Sequence, residues 1–131
     1  MKARVVKVWA EVGPWGSAAI ICELDVNGET KYFIPWIDSA ATDMCCRDCK
    51  WPDDADDIIS SYVHWTGETD EEIIREDFED IGCPCLACQI ERDPDAWLDA
   101  MYGAIDLPRE GEEIVIKGEN LRFVYDEIPM F

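Results

Sequence analysis

The chain has 131 residues, near the commonest length of a single domain, and 48% of these residues are hydrophobic. Six tryptophans exclude a disordered chain, because so much apolar surface is enough to form a core. The formal net charge of -19 disfavours direct binding to nucleic acid or to anionic lipid, since both are negatively charged. The expected partner is therefore a basic protein.

The amino-terminal residues do not resemble a targeting signal, because Lys2, Arg4 and Lys7 interrupt any signal-peptide core. The seven cysteines are an odd count and include the adjacent pair Cys45 and Cys46, which argues against a disulfide framework. The sequence therefore predicts a cytoplasmic protein whose thiols are reduced or metal-bound.

Residues 1–37 predict an antiparallel β-meander. Strands are expected over 2–12 and 18–26, and Asn27-Gly28 then provides a two-residue hairpin turn, which needs positive φ at both positions. The returning strand is expected over 30–34. It should end at Pro35 or lie at an edge of the sheet, since proline has no amide hydrogen to donate to a neighbouring strand.

Residues 38–105 predict an acidic helical segment. The first helix follows Pro52, and the second begins at Thr69, the first residue of a capping-box sequence, and stops near Gly82. A third helix begins with Asp93 as its cap and Pro94 in its first turn. The apolar face expected for the second helix consists of Ile73, Ile74, Phe78 and Ile81.

Residues 106–131 predict a carboxy-terminal β-hairpin. Strands are expected over 112–117 and 121–125, with Gly118, Glu119 and Asn120 as the connecting loop. The overall order of strands, helices and strands is typical of an α+β fold, and residues 1–131 are expected to form one domain.

Two cysteine clusters flank the first two predicted helices. Each contains a Cys-x-x-Cys unit, and two such units are a common source of four thiolates for a tetrahedral zinc ion. The sequence therefore predicts structural Zn2+ bound by Cys46, Cys49, Cys85 and Cys88. Possible substitutes are Cys45, Cys83 and the only histidine, His64.

Other interpretations of these cysteines stay open at this point. Thiolates also bind iron–sulfur clusters, and buried cysteines can act as small apolar groups. Dithiol redox chemistry is a further alternative, although nearby acidic residues disfavour the reactive thiolate. Cys22 belongs to neither cluster and is expected in the core.

The negative charge is concentrated in one part of the chain. Residues 53–99 hold 16 acidic side chains against the two bases Arg75 and Arg92, so 16 minus 2 leaves 14 of the 19 net charges there. Acids in the first turn of a helix stabilise its dipole, but like charges four residues apart along the second helix destabilise it. The candidate partner-binding residues are Asp53, Asp54, Asp56, Asp57, Glu72, Glu76, Glu79 and Asp80.

Carboxylates on neighbouring helical turns are spaced comparably with the phosphates of a nucleic-acid strand. The sequence thus favours a non-catalytic inhibitor that occupies the basic channel of a nuclease by nucleic-acid mimicry. Acidic inhibitors encoded by phages and mobile elements act in this way against restriction and CRISPR effectors. Alternatives are an acidic interaction or immunity protein that binds elsewhere on a basic partner, and a dithiol redox protein. No phosphate-binding loop, serine-hydrolase elbow or dinucleotide fingerprint indicates an enzyme.

Overall fold

A five-stranded antiparallel sheet with four helices forms the structure, a computed structural model that describes residues 1–42, 51 and 55–131. The strands are β1 (Lys2–Val12), β2 (Ala18–Val26), β3 (Glu29–Asp38), β4 (Glu113–Val115) and β5 (Val124–Tyr125), and their order in the sheet is β4-β1-β2-β3-β5. The helices are α1 (Asp56–Thr66), α2 (Glu71–Asp80), α3 (Leu86–Arg92) and α4 (Pro94–Ala104). The predicted α+β class is confirmed.

The amino-terminal meander forms as predicted. β1 pairs with β2, and β2 pairs with β3 through the turn at Asn27 and Gly28, both of which have positive φ. The third strand does not end at Pro35 but continues to Asp38. Pro35 is tolerated because the pairing with β2 is irregular beside it and because β5 pairs only with Tyr32 and Phe33 on the other side.

The carboxy-terminal segment is not the predicted hairpin. β4 pairs with β1 and β5 pairs with β3, so the two strands lie at opposite edges of the sheet. Between them, Gly118–Phe123 forms a 3-10 turn instead of a hairpin loop. β1 and β3 are the outer strands of the meander, and each has backbone N–H and C=O groups on its outer side that no meander strand can pair with. When β4 and β5 pair with these strands, fewer backbone groups stay unpaired than if β4 and β5 formed a separate hairpin.

The main core lies between the sheet and α4. Val5, Ile20, Leu24 and Ile116 are almost fully buried there, and Leu98 of α4 packs against them. Trp36 of β3 and Trp97 of α4 lie with their ring centroids 5.3 Å apart, an ordinary distance for a packed aromatic pair. Phe131 packs against Ala19, Ile21 and Ile34 in a second, smaller cluster.

α1 and α2 share a small core of their own. It contains Ile58 and Tyr62 of α1 and Ile74 and Phe78 of α2. Ile73 and Ile81, which were predicted to be buried, are 42% and 59% exposed. Within the described part of the chain, α2 buries a narrow stripe, Ile74 and Phe78, which are four residues apart and therefore lie on one face.

No helix in the described part of the chain is long and apolar enough to cross a membrane.

The start of α2 differs by one residue from its prediction. Asp70, and not Thr69, is the N-cap, and its carboxylate accepts a hydrogen bond from the amide of Glu72 at 3.0 Å. The cap predicted for the third helix, which is α4, is confirmed: the Asp93 carboxylate accepts from the amide of Ala96.

Replacing Asp70 by Ala should lower the free energy of unfolding by about 1 kcal/mol, because an amide of the first turn of α2 loses its acceptor. The matched variant Thr69→Ala should change it by less than about 0.3 kcal/mol. Urea unfolding followed by circular dichroism measures both variants. A larger loss of stability for Thr69→Ala than for Asp70→Ala would show that Thr69, and not Asp70, is the N-cap of α2.

Candidate metal centre

Three cysteine side chains converge after α2. The Sγ atoms of Cys83, Cys85 and Cys88 all lie within 4.8 Å of one another. Sulfurs around a tetrahedral zinc ion, each about 2.3 Å from the metal, are roughly 3.8 Å apart. Small side-chain adjustments would therefore bring these sulfurs to ligating distance, and the three cysteines could hold a metal ion.

The local backbone explains why three cysteines within six residues point to one place. Gly82 has a φ of 100°, in the left-handed region that glycine favours, and it turns the chain sharply out of α2. Cys85 is the N-cap of α3, and its Sγ accepts a hydrogen bond from the amide of Cys88 at 3.4 Å. This bond keeps the Cys85 sulfur turned towards the first helical turn, where Cys88 lies.

α3 itself was not predicted, since the second cysteine cluster was expected to lie between helices. The helix forms because Leu86, Ala87 and Ile90 are buried on one face of its seven residues. These residues pack with Cys83 and Cys85 against Ala18 at the start of β2. The amide of Ala87 also donates to the carbonyl of Ala41 at 3.0 Å, which joins α3 to the chain that follows β3.

The environment of the three sulfurs is largely apolar. Cys83 and Cys85 are 1% and 0% exposed, and Cys88 is half-buried. Cys83 and Cys85 belong to an apolar core cluster with Ala18, Ala41, Leu86, Ala87 and Ile90. The half-buried side chains packed against this core cluster are Ala10, Val12, Trp36, Trp65, Cys88 and Trp97. A set of buried thiols suits borderline and soft metals such as zinc or the iron of a cluster, and it does not suit magnesium or calcium.

Two of the four predicted ligands lie in the sulfur cluster. Cys85 and Cys88 are members of the sulfur cluster, and so is Cys83, which the sequence indicated only as a substitute. Cys46 and Cys49, together with the substitute Cys45, lie outside the described residues. The short spacing Cys-Pro-Cys between 83 and 85 was the available signal that Cys83 lies close to Cys85.

His64 does not join the sulfur cluster. It is exposed near the end of α1, and its ring meets the edge of Trp65 at a centroid distance of 4.8 Å. Among the described residues, the structure therefore offers no support for an imidazole ligand in place of a thiolate.

Cys22 has the core role that was predicted for it. It is fully buried among the residues between the sheet and α4, and burial raises the pKa of its thiol to about 12. A thiol in this environment stays protonated at neutral pH, so it is a poor nucleophile and a poor metal ligand.

The predicted partner-binding acids are exposed wherever the structure describes them. Asp53 and Asp54 lie outside the described residues. Asp56 and Asp57 are in the first turn of α1, and α2 presents the other four. Of these four, Glu79 accepts a hydrogen bond from Arg75 at 3.2 Å in an exposed ion pair. The exposed members of the prediction are Asp56, Asp57, Glu72, Glu76, Glu79 and Asp80.

Comparisons of the chain with protein-family models, with curated proteins and with solved structures find no match. The function is therefore inferred from the residues and the geometry of this chain alone.

If the three sulfurs bind metal together, replacing any one of them by Ser should weaken Co2+ binding. The loss of Co2+ affinity should exceed the 10–100-fold loss that is typical when a residue that hydrogen-bonds to a metal ligand is replaced. Titration with Co2+ measures this through the sulfur-to-cobalt absorption band. Cys22→Ala is the matched control, because it removes a buried thiol outside the cluster and should leave the band unchanged. Equal losses in Cys22→Ala and Cys85→Ser would contradict the assignment.

Proposed function

We propose that this protein is a non-catalytic acidic inhibitor that occupies the basic nucleic-acid channel of a nuclease or a similar complex. One observation carries the proposal: of the 14 acidic side chains between residues 55 and 104, 12 are exposed. The same stretch contains only two bases, Arg75 and Arg92. We refer to these 12 side chains as the acidic helical surface.

The two bases do little to neutralise this surface. Arg75 forms its ion pair with Glu79 and lies over the ring of Trp51 at 5.6 Å. Arg92 forms no ion pair with a described residue and donates to a backbone carbonyl. Glu72 and Glu76 stand four residues apart, and neither forms an ion pair with a described residue, since Arg75 pairs with Glu79. Like charges at this spacing destabilise an isolated helix by some tenths of a kcal/mol.

Ion pairs between these carboxylates and lysine or arginine side chains of a partner would offset this destabilisation of the helix. Their Cβ atoms on successive turns are about 5–6 Å apart, which suits a row of lysine and arginine side chains that otherwise binds phosphates. Complementary charge of this kind mainly raises the association rate and the specificity. The affinity should consequently fall steeply as salt is added.

Zinc is the metal that we propose for the sulfur cluster, with a structural role. Cys83, Cys85 and Cys88 supply three of four tetrahedral positions, and the fourth is assigned to one cysteine of the earlier Cys-x-x-Cys unit, Cys46 or Cys49, on the sequence pattern alone. α1 and α2 precede the cluster, Cys88 lies in α3, and α4 follows it. A metal there would hold the acidic helices against the sheet.

Protein purified without added metal should contain about one equivalent of zinc by elemental analysis. Less than about half an equivalent, with no iron, would contradict zinc as the resident metal. One equivalent or more of iron would instead identify an iron–sulfur cluster. Titration of native thiols separates the redox alternative, because reversible disulfide formation in metal-free protein at the same cysteines would favour dithiol chemistry.

Reversing two carboxylates of α2, in the double variant Glu72→Lys and Glu76→Lys, should weaken inhibition of a susceptible nuclease by at least about tenfold. The reason is that two attractive contacts become repulsive in the basic channel. The control double variant, Glu11→Lys and Glu127→Lys, makes the same change in net charge at exposed positions outside the helices. It should weaken inhibition less than about threefold.

The measurement is displacement of fluorescent DNA or RNA duplexes from restriction and CRISPR effector nucleases at several salt concentrations. Equal losses in the two double variants would mean that only net charge matters, and this outcome would refute a defined acidic surface. Binding to the basic partner without displacement of nucleic acid would favour the alternative, an interaction or immunity protein.

A further inference from the structure

Three side chains hold the backbone that carries Cys83. The carbonyls of three successive residues, Gly82, Cys83 and Pro84, each accept a hydrogen bond from a side chain. The donors are the hydroxyl of Tyr62 at 2.9 Å, Nη1 of Arg92 at 2.6 Å and Nε2 of Gln89 at 2.6 Å, in the same order. This stretch has no regular secondary structure, so its carbonyls depend on these donors.

Cys83 depends on this support more than its two neighbours do. Cys85 and Cys88 belong to the cap and the first turn of α3, which fixes their separation. Cys83 precedes the helix, and Pro84 lies between it and the cap. Two of the three donors, Gln89 and Arg92, extend back from α3, so the helix that bears two sulfurs also fixes the backbone of the third.

Arg92 differs from the other two donors in its charge. A zinc ion bound by three or four thiolates keeps a net negative charge, and the surrounding residues 55–104 carry 14 acids against two bases. The guanidinium of Arg92 is positively charged and donates a hydrogen bond to the carbonyl of Cys83. It therefore places a positive charge at the backbone of Cys83 while it holds that backbone.

We infer that Arg92 is a positioning residue of the metal centre, which fixes the backbone of Cys83 and offsets the negative charge of the metal–thiolate group. The inference rests on the proposed binding of metal by Cys83, Cys85 and Cys88. Groups that orient metal ligands typically change metal affinity by 10–100-fold when they are removed.

The test compares zinc affinity, measured by competition with a chromogenic chelator, in the full-length protein and in variants of the two arginines. Arg92→Ala should lower the affinity by 10–100-fold. Arg75→Ala is the matched control, because it removes the other positive charge of the segment from an exposed pair, and it should change the affinity by less than about threefold. The same variants loaded with Co2+ should show a shifted sulfur-to-cobalt band only for Arg92→Ala.

Two further variants separate the hydrogen bond from the charge. Arg92→Lys keeps the charge and should recover part of the affinity, whereas Arg92→Gln keeps a donor without charge and should recover less. If Arg92→Ala does not fold, Arg92→Lys and Gln89→Ala decide the question, and each should weaken zinc binding by at least about threefold. Unchanged affinity in both would overturn the inference.

The remaining outcomes are also distinguishable. If the unaltered protein binds neither Zn2+ nor Co2+, the proposed metal centre itself is wrong. If it binds metal but Arg92→Ala retains full affinity, only the role of Arg92 is refuted. Equal losses of zinc affinity in Arg92→Ala and Arg75→Ala would show a general effect of net charge and would also refute the role of Arg92.

Stability measurements separate a purely structural role of Arg92 from a positioning role. A purely structural role predicts that Arg92→Ala lowers stability equally in metal-free and metal-loaded protein, whereas a positioning role predicts a larger loss in the metal-loaded form.

Discussion

The packing of α3 against the end of the sheet is the constraint on which the rest of the molecule depends. Ala87 and Ile90 bury one face of this short helix beside Ala18, and the Ala87 amide is bonded to Ala41. Seven residues are too few to form a stable helix alone, so tertiary contacts must hold it. Because α3 also carries Cys85, Cys88, Gln89 and Arg92, its position sets the geometry of the sulfur cluster and of the backbone donors around it.

The acidic helices are attached to the sheet through this same region. Among the described residues, α1 and α2 share a core of a few side chains, and the Tyr62 hydroxyl donates a hydrogen bond to the carbonyl of Gly82, just before Cys83. A pair of helices with a small core and many like charges has little stability of its own. A metal bound at the cluster would stabilise the joint between this pair and the sheet, which connects the proposed zinc ion with the proposed acidic binding surface.

Local patterns predicted some elements well and failed where a partner element decided the outcome. The meander and the Asp93 cap follow from short-range chemistry, namely the φ requirements of a turn and the amides of a helix start. The carboxy-terminal hairpin was wrong because β4 and β5 pair with the two outer strands of the meander, which are distant in sequence. Ile73 and Ile81 were predicted to be buried but are exposed. The period of the apolar residues identifies one face of a helix, but it does not show how much of that face other elements cover.

The α+β class, the acidic character of the helical segment and the presence of clustered cysteines able to bind metal could all be predicted from the amino-acid sequence. These properties depend on composition and on residues close together in the chain. The tertiary structure alone decided that Cys83 joins Cys85 and Cys88, and that Tyr62, Gln89 and Arg92 support the backbone beside it. Those contacts need α3 and the left-handed turn at Gly82, and the helix forms only when its apolar face is buried against the sheet.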